Sequence, residues 1–212
     1  ALKKGADLIV SGKLVEARLV LNDLLFEEGA ALPARDRQKV RDDLARLNEQ
    51  LIFSSKRMAG DPLTATYIVQ SGDALVLIAP RYHITDDLIA HINRIKNKHH
   101  IRVGQELKVI NGPFHAVISK SSFRLDLMTE APDGRRVYVK SFPVGLGEED
   151  STPLGKFKVG TKMANPSWRN PRKPGEFFHP DDPANPIGEH WIGLIGDDDA
   201  TRSGYGIHGT IE

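Results

Sequence analysis

The hydrophobic period at the start of this chain differs from the period at its end, and that difference constrains the fold most strongly. Up to about residue 58, apolar residues such as Leu14, Ala17 and Leu21 recur three or four positions apart, which predicts helix. After Asn111-Gly112-Pro113 the period becomes two, as in β-strands. Helices and strands that are segregated in this way indicate an α+β fold made of several domains.

Residues 1–60 are predicted to form a helical hairpin, because Gly29 ends the first apolar stripe and Pro33 precedes the second. Residues 12–17 faintly resemble part of a tetratricopeptide repeat, but no second copy follows at the required period. We therefore expect these helices to pack against the rest of the chain or to act as a spacer. A protein partner for the N-terminal helices is the alternative.

The charge balance and the cysteine count exclude several classes of function. The chain has 29 basic and 28 acidic side chains in 212 residues, so we expect no nucleic-acid partner. It has no cysteine, which excludes disulfides, thiolate metal sites and a covalent cysteine intermediate within these residues. No apolar run reaches the length of a membrane span, and any targeting segment is expected to lie outside the printed chain.

Residues 66–111 are predicted to form a compact unit with the order strand, helix, helix, strand. Tyr67 begins the first strand, Thr85 caps the second helix, and Val109 ends the second strand. Pro80 is expected to end the first helix early, because proline cannot donate a backbone hydrogen bond.

This unit resembles a LysM module over its full length. The matching positions are Tyr67, Val69, Gly72, Asp73, Leu75, Ile78, Ala79, Tyr82, Asn93, Gly104, Gln105 and Leu107. The resemblance implies a shallow groove that binds glycans containing N-acetylglucosamine. The glycan-binding residues that it implies are Gly72, Asp73, Ala74, Leu75, Ile92 and Asn93. The structural alternative is that Gly72 serves a turn, Asp73 caps a helix and Asn93 bonds the backbone.

The remainder of the chain is predicted to be mainly β. The predicted strands are residues 115–119, 123–129, 136–142, 155–161 and 190–195, with a hairpin turn at residues 132–134. Residues 165–188 contain six prolines and little apolar periodicity, which predicts a long stiff loop. We expect this loop to border a substrate cleft, with its aromatic residues Trp168, Phe177 and Phe178 either lining that cleft or pinning the loop to the core.

Residues 114–212 also carry a set of glycine-punctuated motifs in a fixed order. The motifs are residues 142–147, 151–157, 185–188, 191–194 and 204–210. As a set they resemble the L,D-transpeptidase catalytic domain of bacterial cell-wall enzymes. In that family a His-Gly-Thr-like motif is soon followed by a Ser-x-Gly-Cys nucleophile motif, so we interpret residues 114–212 as a catalytic domain that is incomplete at its C-terminus.

The resemblance implies that His208 is the catalytic base and that the Gly209 carbonyl orients its imidazole. It places Trp191, Tyr205 and Gly206 in the substrate cleft. Together with the resemblance of residues 66–111 to LysM, it implies a peptidoglycan L,D-transpeptidase that is anchored on the glycan strands. This enzyme would act on stem peptides through a cysteine acyl-enzyme. We expect an extracytoplasmic location, no cofactor and no metal. The printed chain is expected to be inactive because it lacks the nucleophile.

Three alternatives stay open at this point. The chain is a peptidoglycan-binding protein without catalysis, or an L,D-carboxypeptidase in which water resolves the acyl-enzyme. The third alternative is a zinc peptidase, although its ligands would lack the usual spacing of a zinc site. Its ligands would be His179, Asp181 or Asp182, His190 and His208.

Overall fold

The computed structural model describes residues 1–170, 172–199 and 203–210. It confirms the mixed α+β class, with helices first, a strand, helix, helix, strand unit next, and mostly strands after it. The chain divides into two compact units, Ala1–Gly145 and Leu146–Glu212. That division falls within the predicted catalytic domain, so the predicted domain limits stay predictions.

The N-terminal part has three helices: α1 (Leu2–Val10), α2 (Leu14–Glu27) and α3 (Ala34–Leu51). The first arm of the predicted hairpin is thus divided, because Gly12 takes a left-handed conformation with φ of 76°. The Lys13 N–H donates to the Leu8 carbonyl at 2.9 Å and closes α1. None of the helices in the described residues is both long enough and apolar enough to span a membrane.

The second part contains β1 (Thr64–Ile68), α4 (Leu75–Ile78), α5 (Asp86–Ile92) and β2 (Glu106–Ile110). β1 and β2 pair in antiparallel fashion, with Tyr67 opposite Leu107. The α-helix ends at Ile78, and a 3₁₀ turn with Pro80 near its start follows, as predicted. The Thr85 hydroxyl accepts a hydrogen bond from the Leu88 N–H at 3.2 Å, which confirms the predicted cap.

A three-stranded sheet follows, formed by β3 (Phe114–Ser119), β4 (Arg124–Glu130) and β5 (Arg136–Pro143), in that order. Its strands are antiparallel, and the predicted hairpin turn joins β4 to β5. Gly134 occupies this turn with φ of 82°, and its N–H donates to the Ala131 carbonyl at 2.9 Å.

Two buried asparagines attach the helices to the edge strand β5. The Asn22 amide donates to the Arg136 carbonyl at 2.8 Å and accepts from the Tyr138 N–H at 2.9 Å. Asn48 donates to the Tyr138 carbonyl at 2.8 Å. These amides bond the strand's backbone as a neighbouring strand would, and α2, α3 and β5 share one hydrophobic core. The N-terminal helices therefore pack against the first part of the β region, which is one of the roles expected of them.

Lys108 of β2 is buried beneath the end of α3, with only 1% of its surface exposed. Its ammonium donates to the carbonyls of Leu51 at 2.6 Å and Ser54 at 2.8 Å. A cation at this place bonds the Leu51 carbonyl, which the helix leaves unpaired at its C-terminus, and a carbonyl of the loop that follows. Burial nevertheless lowers the pKa of Lys108 to about 8, with Asp61 opposing that change.

We expect the protein to become more stable as the pH rises from about 8 to about 10.5. Lys108 has a folded-state pKa of about 8 against its usual 10.5, so the unfolded chain binds more protons in this interval. The contribution of Lys108 to the free energy of unfolding should therefore rise by about 3 kcal/mol. Urea unfolding at several pH values measures it. Lys108→Met is the control, and an equal rise in that variant would contradict the assignment.

The second compact unit contains a sheet of β6 (Phe157–Ala164), β9 (His190–Gly196) and β10 (Tyr205–His208). The strands are antiparallel, and β9 lies between the other two. The proline-rich stretch is not without structure, since β7 (Trp168–Arg169) and β8 (Phe177–Phe178) pair as a short ribbon. The centroids of the Trp168 and Phe178 rings lie 5.8 Å apart. These two aromatic side chains therefore pack against each other and hold the ribbon together.

Candidate functional site

His208 is the last residue of β10, where the strand leads into Gly209. Its Nδ1 atom lies 2.7 Å from the Gly209 carbonyl oxygen. Because a carbonyl only accepts, this bond requires the proton on Nδ1, and Nε2 of the neutral ring is then the acceptor. The hydrogen bond expected between Gly209 and His208 is therefore present, and the exposed ring offers Nε2 as a base.

Trp191 of β9 lies directly opposite His208 in the sheet. The two rings are nearly parallel, at 13°, with their centroids 5.7 Å apart. A Cβ atom added to Gly206 would lie 2.4 Å from the Trp191 indole ring. Gly206 thus leaves room for the indole, which is a steric reason for glycine at this position of the motif.

Tyr205 lies on the other face of the sheet, because successive side chains of a strand alternate between its two faces. Its ring packs edge-on against Phe157 with the centroids 5.9 Å apart. Of the residues expected in the substrate cleft, the structure therefore brings Trp191 and Gly206 to His208, and it does not bring Tyr205 there.

The end of the proline-rich stretch lies against the residue that follows His208. A Cβ atom added to Gly188 would lie 3.2 Å from the Gly209 Cα atom. Asn185 is buried and donates to the Pro166 carbonyl at 2.8 Å, which ties the two ends of this stretch together. The motif at residues 185–188 is visible in the sequence, but its contact with Gly209 joins residues that are distant in the chain, and no local pattern indicates it.

In the first unit, Gly72 and Asp73 form the turn after β1. Gly72 has φ of 85°, as the turn requires. The Asp73 carboxylate accepts from the Gln70 N–H at 2.8 Å and from the Tyr67 hydroxyl at 2.7 Å. These two hydrogen bonds, the Gln70 bond first, lower the pKa of Asp73. Asp73 therefore closes the turn, and the interpretation as a helix cap is wrong because Ala74 holds that position without a side-chain bond.

The other four residues expected to bind glycan differ in how exposed they are. Leu75 and Ile92 are each only 1% exposed, so they support the groove from beneath and do not present a surface to a sugar. The Asn93 amide donates to the Lys108 carbonyl and accepts from the Lys108 N–H, both at 2.8 Å. Its side chain thus has the structural role that was the alternative, while Ala74 stays partly exposed.

Sequence reasoning did not identify Arg81, which lies beside the Gly72 turn. Its guanidinium donates to the Tyr67 hydroxyl at 2.9 Å and lies 5.8 Å from the centre of the Tyr67 ring. The Tyr67 hydroxyl in turn donates to Asp73. Arg81 is exposed, so a charged donor stands next to the expected glycan groove. No local pattern distinguishes it from other surface arginines.

The zinc alternative needs three or more ligands in one place. Within residues 1–170, 172–199 and 203–210, no three His, Cys, Asp or Glu side chains form such a group. The histidines and aspartates considered for zinc are therefore not assembled as a ligand set in the described part of the chain.

Two family models match this chain. Residues 67–109 match the LysM domain, and residues 113–211 match the L,D-transpeptidase catalytic domain. No curated protein matches significantly. One similar solved structure is the crystal structure of the MoCVNH3 variant Mo0v in complex with (N-GlcNAc)4, at 26% identity and a TM-score of 0.24. The match covers 38% of this chain and 54% of that chain, so this chain spans about half of that protein's length.

Proposed function

The chain carries a LysM domain followed by an L,D-transpeptidase catalytic domain, and we propose that it is a peptidoglycan L,D-transpeptidase acting on stem peptides through a cysteine acyl-enzyme. One observation supports the catalytic part most directly. The 2.7 Å bond from His208 Nδ1 to the Gly209 carbonyl leaves Nε2 as the acceptor on the family's histidine motif. An oriented imidazole beside a nucleophile is the arrangement that acyl transfer requires.

In the proposed reaction, Nε2 of His208 takes the proton of the thiol. The thiolate forms a C–S bond to the carbonyl carbon of the peptide bond between an L- and a D-configured residue. The C–N bond then breaks, and the leaving amine receives the proton from Nε2. In the second half, an amine of another stem peptide attacks the thioester, gives its proton to Nε2, forms a new C–N bond and displaces the thiolate, which is reprotonated.

The thiol of this reaction has to come from outside the 212 printed residues, which contain no cysteine. We propose that it follows Glu212 in a Ser-x-Gly-Cys-like setting. A carbapenem, which acylates such a thiol, should leave the mass of the printed chain unchanged and add its own mass to a longer protein with that cysteine. A longer protein that has the cysteine and gains no mass would count against the proposal.

The L,D-transpeptidase and L,D-carboxypeptidase activities differ only in the molecule that attacks the acyl-enzyme. Attack by a stem-peptide amine gives a cross-link, whereas attack by water gives an L,D-carboxypeptidase. Mass spectrometry of the products from purified disaccharide peptides distinguishes a dimer from a shortened monomer. A protein that binds peptidoglycan and forms neither product would support the non-catalytic alternative.

For the LysM domain, we propose that the turn at Gly72 and Asp73, with Ala74, forms part of the glycan groove. The turn keeps its shape through the two hydrogen bonds that Asp73 accepts. Leu75, Ile92 and Asn93 would support the groove without contacting the sugar through their side chains, since Leu75 and Ile92 are buried and the Asn93 amide is bonded to Lys108.

Replacing Asp73 by Ala should weaken binding to insoluble peptidoglycan by about tenfold, because the turn loses two hydrogen bonds. The test is a sedimentation assay with the full 212-residue chain. Asp87→Ala is the matched control, because Asp87 is an exposed residue that pairs with Lys98 at 2.7 Å. If both variants bind peptidoglycan equally, Asp73 does not contribute to the glycan groove.

Binding of the glycan by LysM would hold the catalytic domain close to the stem peptides on the same polymer. Such tethering raises the effective substrate concentration without any new catalytic contact. Since peptidoglycan lies outside the cytoplasm, we propose an extracytoplasmic location. A further protein partner for the N-terminal helices stays a proposal that pull-down of the intact protein would test.

A further inference from the structure

We propose that Trp191 is a positioning residue that holds the imidazole of His208 in the orientation needed by the base. The proposal rests on the function proposed above, and it adds a role that the family motifs do not assign. Trp191 acts through His208 in this proposal, and contact with substrate is the competing role.

The geometry begins with the hydrogen bond between His208 Nδ1 and the Gly209 carbonyl. A single hydrogen bond fixes one edge of the ring and still permits the exposed ring to tilt about that bond. The Trp191 indole lies nearly parallel to the imidazole, at 13° and 5.7 Å. Parallel offset rings attract each other, so the indole supplies the second constraint that one hydrogen bond lacks.

The indole is itself held by the backbone beneath it. A Cβ atom at Gly206 would lie 2.4 Å from the indole, and one at Gly193 would lie 3.0 Å from its Nε1 atom. Gly206 and Gly193 are directly opposite each other in β10 and β9. Two facing glycines therefore let the indole lie close to the sheet, and any side chain at either position would lift it.

The same contact is suited to the charge that His208 gains during the reaction. When Nε2 takes the thiol proton, the ring becomes a cation next to an indole face. Aromatic faces attract cations, and Trp does so more strongly than Tyr or Phe. Trp191 would thus hold the charged ring of the first step in the same place as the neutral ring.

The first test uses nuclear magnetic resonance on the 212-residue chain, because this measurement needs no catalytic activity. In the parent chain, the His208 carbon-bound protons should show an upfield ring-current displacement, and the ring nitrogens should report a proton on Nδ1. Trp191→Leu and Gly206→Ala should both abolish the displacement, whereas Trp191→Phe should retain part of it. A parent chain without the displacement would overturn the proposal.

The second test measures acylation by a carbapenem in the longer protein with its cysteine. Trp191→Leu should lower the maximal acylation rate by about tenfold or more, because the base is misaligned, and should leave the apparent Kd of the carbapenem unchanged. Trp191→Phe should restore most of the rate. A change confined to the apparent Kd would make Trp191 a substrate contact and overturn the positioning role.

The control for both tests is Val159→Ala. Val159 lies opposite Leu194 in the same sheet, in the row of Tyr205, and therefore on the face away from His208. Its ring-current displacement and acylation rate should match those of the parent. Absence of acylation in every protein, with the displacement intact, would refute the transpeptidase function and leave the stacking established.

Discussion

Replacing His208 by Ala is expected to slow acylation of the cysteine-containing protein by between about a hundredfold and ten thousandfold, the usual effect of losing a general base. A free thiol is mostly protonated at neutral pH, so the reaction depends on a base that removes its proton. His208 is oriented for this by its 2.7 Å hydrogen bond to Gly209. The fold should be unaffected, because the side chain is exposed at a strand end.

The measurement is the rate of mass gain with a carbapenem, and His190→Ala is the matched control. His190 is the first residue of β9, lies opposite Ala164 and is exposed like His208. Its replacement should change the rate less than about twofold, the scale expected of surface substitutions away from a site. If His208→Ala acylates as fast as the parent protein, another group is the base.

Replacing Asp61 by Ala is expected to lower the free energy of unfolding of the first compact unit by about 3 to 5 kcal/mol. Asp61 joins the helices to the beginning of β1 through a bidentate pair with Arg18 of α2, at 2.5 and 3.2 Å. Both residues are buried, with exposures of 6% and 4%. The carboxylate also accepts from the Leu63 N–H at 3.0 Å. Alanine would leave a buried cation and a buried N–H without partners.

Urea unfolding, followed by far-ultraviolet circular dichroism, measures this loss. Glu16→Ala is the control, since Glu16 forms an exposed pair with Lys13 at 3.5 Å and should contribute less than about 1 kcal/mol. The double variant Arg18→Met with Asp61→Leu should regain most of the lost stability, because neither charge is then left alone. Equal effects of Asp61→Ala and Glu16→Ala would contradict the buried-pair argument.

The sequence by itself determined those features that depend on near neighbours in the chain. Alternation of apolar residues predicted strands β3 to β5, and the turn at Gly134 followed from its ability to take positive φ. The cap at Thr85 depends on a hydroxyl and an N–H only three residues apart. The hydrogen bond between His208 and Gly209 joins adjacent residues, so it was also within reach of a motif.

Some predictions that concern nearby residues were still incomplete, because packing decided them. The apolar stripe runs through both α1 and α2, since each buries a face against the other, and it therefore did not reveal the break at Gly12. Asp73 is a residue type that caps helices, but it lies one position before the cap residue Ala74, and its carboxylate is bound within the turn by Tyr67 and Gln70.

Only the tertiary structure decided which distant residues meet. Lys108 follows a strand pattern that gives no sign of burial, yet the carbonyls it bonds belong to Leu51 and Ser54, more than fifty residues away. Trp191 and His208 are brought together by the pairing of β9 with β10, and the same register turns Tyr205 to the opposite face. Periodicity records which side of an element is apolar, whereas register and the packing of elements determine what that side touches.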